Sequence, residues 1–148
     1  MDLEELIARE SIRDLVARYN SNGDSGRLDQ MMQLFAEDAT MQVVGGDPHE
    51  GRAAIRRFFE GAVDGFADTT GPVVVRHSVT THVIDVTGPD TATGRAYYTV
   101  FLAEGPDHWG RYIDEYKRID GVWHFAKRRV STDGRVPGGW AERRGDIR

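Results

Sequence analysis

Hydrophobic positions recur at helical spacing up to about residue 63 and alternate beyond residue 72. Ile12, Leu15, Val16 and Tyr19 fall at i, i+3, i+4 and i+7, one stripe of a helix, and Leu3, Leu6 and Ile7 are placed to extend it backwards. Asn20, Ser21, Asn22 and Gly23 are successive turn-formers and predict its end. Leu28, Met31, Met32 and Phe35 repeat the spacing in a shorter second helix, with Asp24 or Ser25 as its available cap. Residues 40–44 read as a short strand closed by Gly45-Gly46-Asp47-Pro48. A third helix is expected over residues 52–63, with Ile55, Phe58, Phe59 and Ala62 on one side.

The back of the chain reads as strands. Residues 73–84, after Pro72, are rich in β-branched side chains. Residues 91–103, 109–118 and 122–130 follow, and Asp120-Gly121 between the last two is a hairpin turn. From Thr132 onward an irregular tail is expected, anchored by Trp140. Three helices before four long antiparallel strands make an α+β domain, with the N-terminal helices packed in a curved antiparallel sheet. The cone-shaped space between them is a natural small-molecule pocket. The division expected is a domain over residues 1–135 and a tail over 136–148.

Composition narrows the function. A length of 148 residues suits one domain. The absence of cysteine removes disulfides, thiolate metal sites and a cysteine nucleophile. A net charge of −5 argues against a nucleic-acid partner. No apolar run approaches membrane-spanning length, and the charged start lacks the apolar stretch of a secretory signal, so a cytoplasmic protein is expected.

The glycine pairs lack the contexts of nucleotide-binding loops, and no GxSxG elbow occurs. His77 and His82 are five apart on one strand, so they face opposite ways unless a bulge intervenes, and His49 and His108 read as loop residues. No metal or cofactor site is expected. What remains is acid–base work by Asp, His, Tyr and Arg. Asp24 is either an N-cap or a carboxylate where the helices meet the sheet. His77, between Val75 and Val79 on its own face, is either a core histidine or a base, whereas the parity of His82 turns it to solvent. Tyr19 lies on the apolar stripe. Of Arg128 and Arg129 one must face inward, where it needs an anionic partner.

Taken together, ARESIRDLVARYNSNGD, LDQMMQLFAEDATMQV, the Gly51–Ile55 helix start, RHSVTTHVIDV and GRYIDEYKRIDGVWHFAKRR resemble the SnoaL-like branch of the nuclear-transport-factor-2-like superfamily over about residues 5–131. Among its members the pattern is most similar to cofactor-free lyases: scytalone dehydratase, bile-acid 7α-dehydratase and hexachlorocyclohexane dehydrochlorinase. The resemblance implies that Asp24 orients His77, which removes a proton from carbon, while Tyr19 and Arg128 bind substrate. Tyr97, Tyr98, Tyr112 and Tyr116 are candidate acids. A small hydrophobic, cyclic substrate is expected, turned over by a lyase or isomerase. The alternatives are a non-catalytic ligand-binding domain or the small subunit of a ring-hydroxylating dioxygenase. An apolar outer sheet face, assigned to Val74, Ile84 and Tyr98 or their opposite-parity partners, predicts a homo-oligomer, a trimer in preference to a dimer.

Overall fold

Asp2 starts the first helix: its carboxylate accepts the Glu5 N–H at 2.9 Å, which satisfies one of the donors that a helix start leaves free. In the computed structural model, which describes residues 1–64 and 73–144, α1 runs over Leu3–Asp24. It continues through Asn20–Gly23 rather than stopping there. Asn20 is buried and accepts the Tyr112 hydroxyl at 3.2 Å, so a tertiary bond outweighs local turn preference. α2 is only Leu28–Met32, and its N-cap is Arg27, with no side-chain cap bond. Neither Asp24 nor Ser25 fills that role. Phe35 leaves the expected helix to open β1 (Phe35–Val43), where it is fully buried opposite Phe125.

After β2 (His49–Glu50) and α3 (Arg52–Asp64), the chain forms β3 (Arg76–Gly88), β4 (Thr91–Leu102), β5 (Gly105–Ile119) and β6 (Val122–Arg135). Pro72, expected to precede β3, lies outside the described residues. The six strands form one curved sheet in the order β2-β1-β6-β5-β4-β3. All pairs are antiparallel except β1 with β6, which is parallel. Asp120 and Gly121 have φ of 50° and 81°, as a tight two-residue hairpin requires. The expected irregular tail is partly regular. β6 continues to Arg135 against β5, and α4 (Trp140–Arg144) follows.

Helix α1 lies across the concave face and buries Ile12, Leu15, Val16 and Tyr19 against Ile84, Ala96, Tyr112, Tyr116 and Phe125. Ile84 and Tyr98 belong to this inner face. The convex face instead exposes Val83, Tyr97, Phe101, Trp109 and Ile113. The expectation that His82 faces solvent fails. A register shift between Thr80 and Val83, with Thr81 at φ 51°, is the bulge that resets the alternation. His77, Val79, His82 and Ile84 are therefore all more covered than their neighbours.

One inner row crosses the sheet as Ile84, Gly94, Asp114, Arg128 and Met41. Its glycine makes room for a neighbour: a Cβ at Gly94 would sit 2.6 Å from the Tyr116 hydroxyl oxygen. Tyr116 is 2% exposed and cannot swing away. Gly94→Ala is therefore expected to lower stability by about 1–3 kcal/mol, the usual cost of overpacking, in urea unfolding.

Candidate functional site

β3 is an edge strand, so its outer backbone groups lack a strand partner. Helix α1 supplies two of the missing partners. Arg9 donates from Nη1 to the Ile84 carbonyl. At the other end the Asp24 Oδ2 accepts the His77 backbone N–H at 2.8 Å, and Oδ1 meets the His77 Nδ1 at 2.5 Å. One carboxylate thus holds the strand and the imidazole together. Asp24 ends α1, where the helix dipole disfavours negative charge. The two bonds from His77 offset that penalty. The Asp24 side chain is 8% exposed and that of His77 30%, so the ring reaches solvent while its anchor does not. The pair opens on a cleft of about 580 Å³ that is also lined by Ala17, Asn20, Ser21, Arg76, Ser78 and Val79.

Tyr19 and Arg128 lie deeper, among the packed rings, and do not line this cleft. Arg128 is fully buried and pairs with Asp114 through two bonds, Nε to Oδ1 at 2.9 Å and Nη2 to Oδ2 at 2.7 Å. Its guanidinium lies 4.2 Å from the ring centroid of Tyr19, 3.9 Å from that of Tyr112 and 4.2 Å from that of Phe125. Burial opposes its charge, but Asp114 more than reverses that effect and raises its proton affinity. Nη1 remains without a partner. Arg129, its neighbour in sequence, is exposed.

The two clusters are joined through Asn20 and the tyrosines. Asn20 borders the cleft and bonds Tyr112, and Tyr112 stacks on Tyr98 with centroids 4.7 Å apart. Tyr98 in turn lies 6.3 Å from the His77 ring. Burial raises the hydroxyl pKa of Tyr19, Tyr98 and Tyr112, which keeps them neutral donors. Tyr116 is raised by burial and by Asp114, whose carboxylate it bonds at 2.8 Å. Tyr97 is exposed on the convex face and has no place here.

Sequence reasoning missed Asn20 and Asp114. The signal for Asp114 was its parity with Tyr112 and Tyr116 on a strand opposite the inward arginine. His82 joins this deeper cluster, 3.4 Å from the Tyr116 hydroxyl. A depression of about 490 Å³ beside Arg52 and Arg56 is less suited to chemistry. Arg52 already binds the Phe35 carbonyl, and Arg56 binds Asp29 and Glu60. Among the described residues no group of three or more His, Asp or Glu could hold a metal ion.

Two stability tests follow from these environments. Asp114→Ala strands a buried guanidinium and is expected to cost about 3–5 kcal/mol, whereas replacing both partners by Leu and Met should cost much less. Burial lowers the pKa of His82 and His108, so the native state binds fewer protons than the unfolded chain. Their contribution is fully present above the ordinary histidine pKa of about 6.5 and is lost progressively as pH falls below it through their lowered native values. The urea midpoint should drop from pH 7.5 to pH 5, and His82→Gln should flatten that slope.

The chain matches the family model of the SnoaL-like domain over residues 4–129. A solved structure from Mycobacterium tuberculosis, Rv3472, described as of unknown function, is 31% identical with a TM-score of 0.75, covering 92% of this chain and 78% of that one. A Novosphingobium aromaticivorans structure, provisionally named a scytalone dehydratase, is 22% identical with a TM-score of 0.78, covering 92% of this chain and 91% of that one. The hexachlorocyclohexane dehydrochlorinase LinA-type3 from Novosphingobium barchaimii is 22% identical with a TM-score of 0.77, covering 92% and 93%. The sheet, the helix across it and the family match agree: this chain belongs to the SnoaL-like domain family.

Proposed function

We propose that the protein is a cofactor-independent lyase or isomerase that takes a proton from carbon on a small hydrophobic, cyclic molecule, with His77 as the base. The observation that carries this reading is the double hold of Asp24 on His77. A carboxylate on Nδ1 favours the tautomer with its proton there and leaves the Nε2 lone pair to act as base. The same carboxylate stabilises the imidazolium that forms, the division of labour found in hydrolase triads. The C–H electron pair becomes the new double bond, and the leaving group departs with its own pair, or charge moves onto a neighbouring carbonyl oxygen.

The substrate-binding roles proposed for Tyr19 and Arg128 require a molecule that reaches past the cleft to the deeper cluster, where Arg128 Nη1 is the donor without a partner. Of the tyrosines proposed as acids, Tyr98 has its ring beside His77, but its hydroxyl donates to the Ser131 carbonyl at 3.1 Å. A non-catalytic binding domain is the second reading. It is favoured by the position of Tyr19 and Arg128, 7% and 0% exposed and off the cleft that His77 opens on, which leaves the base without those two partners there.

Exchange of α-hydrogens of cyclic ketones in deuterated water, followed by proton NMR, detects the base even when no product accumulates. The protein should accelerate exchange for at least one ketone. His77→Ala should lose about 10²–10⁴-fold, the usual contribution of a general base. Asp24→Asn should keep the fold and also lose activity. Exchange unchanged by His77→Ala would exclude this base, and binding without exchange would favour the second reading.

A further inference from the structure

A second histidine–carboxylate pair lies near the first. Asp107 and His108, on β5 rather than in a loop, are 4% and 7% exposed. The His108 Nδ1 meets the Asp107 Oδ2 at 2.7 Å. The same carboxylate accepts the Trp140 N–H at 2.6 Å and the Ala141 N–H at 3.1 Å, so it pins the start of α4. The approach depends on Gly139, where a Cβ would lie 2.7 Å from Asp107 Oδ1. The Trp140 ring covers the imidazole, with centroids 6.0 Å apart and planes at 24°. On another side Tyr98 meets His108 edge-on at 6.2 Å, and Tyr98 is also 6.3 Å from the His77 ring. The two imidazoles thus share a neighbour.

Asp107 engages only Nδ1 of His108. Among the described residues, the buried polar atoms left without a partner are His124 Nδ1 and Arg128 Nη1, so His108 Nε2 is not sealed away. We propose that His108, fixed by Asp107 and covered by Trp140, is a ligand-positioning residue of the Asp24–His77 site that accepts at Nε2 a hydrogen bond from a hydroxyl of the bound molecule. The inference rests on reading that cleft as the substrate site, and it narrows the substrate to a hydroxyl-bearing compound. Burial holds His108 below the ordinary imidazole range, and the charge of His77 pushes the same way, against the pull of Asp107. The ring is therefore neutral near pH 7, with a lone pair to offer.

The test uses full-length protein with labelled histidines and two probes, 1-indanone and 3-hydroxy-1-indanone, at millimolar concentration. The hydroxylated probe should perturb the His108 and His77 signals, and the parent ketone those of His77 alone. His108→Phe should abolish a preference for the hydroxylated probe of up to about tenfold, the worth of one neutral hydrogen bond. A third arm needs no ligand. His77→Gln should raise the pKa of His108, because it removes a charge that disfavours the His108 imidazolium. If His108→Phe does not fold, the wild-type probes and His77→Gln still decide. Perturbation of His77 alone by both probes would overturn the role of His108 and leave the substrate-site reading standing. Perturbation of neither histidine would overturn both, and a His108 pKa unmoved by His77→Gln would place His108 outside the site.

Discussion

The unpaired edge of β3 is the constraint from which the site grows. A sheet edge exposes N–H and C=O groups that invite aggregation unless something covers them. Here α1 lies along that edge and covers it with side chains, Arg9 at the Ile84 carbonyl and Asp24 at the His77 amide. Because Asp24 has a second oxygen, the group that closes the edge also fixes an imidazole. Fold and candidate chemistry therefore share one carboxylate, placed at the helix end least favourable to it.

Behind that pair, Arg128 sets a second demand. A guanidinium with no solvent access needs a carboxylate, and Asp114 stands directly across the strand pair. The aromatic faces of Tyr19, Tyr112 and Phe125 enclose the remaining surface, and the missing side chain of Gly94 leaves space for Tyr116. Such a pair is weak evidence for stability, because desolvation offsets much of the attraction. Its interest lies in the one donor left over, Nη1, in the deeper cluster that Asn20 and Tyr112 join to the cleft.

Much of this was legible in the sequence because the informative residues sit in regular elements. The stripe containing Tyr19, the Asp120-Gly121 turn and the need for one of Arg128 and Arg129 to face inward are local signals, and the structure contains each, with Arg128 the one turned in. Asp24 and His77, 53 residues apart, were paired only through the family resemblance; no local rule joins them. What was illegible is tertiary. Asn20–Gly23 look like a turn, yet Tyr112 draws Asn20 into the helix. Phe35 fits a helical stripe, yet its place opposite Phe125 makes it a strand residue in the one parallel pairing. His82 was misplaced because a β-branched residue, Thr81, occupies the left-handed region, which its type does not advertise. Strict counting from the hairpin would also miss Asp114 opposite Arg128 by one residue, because the register shifts between Glu115 and Tyr116.

The central claim is that Asp24 holds His77 with its proton on Nδ1 and its lone pair on Nε2. Neutron diffraction from a deuterium-exchanged crystal near pH 7 tests it most directly. The account predicts a deuteron between His77 Nδ1 and Asp24 Oδ1, a second on the His77 backbone nitrogen facing Oδ2, and none on Nε2. A deuteron on Nε2 with Nδ1 bare, or an Asp24 carboxylate turned away from the ring, would contradict it.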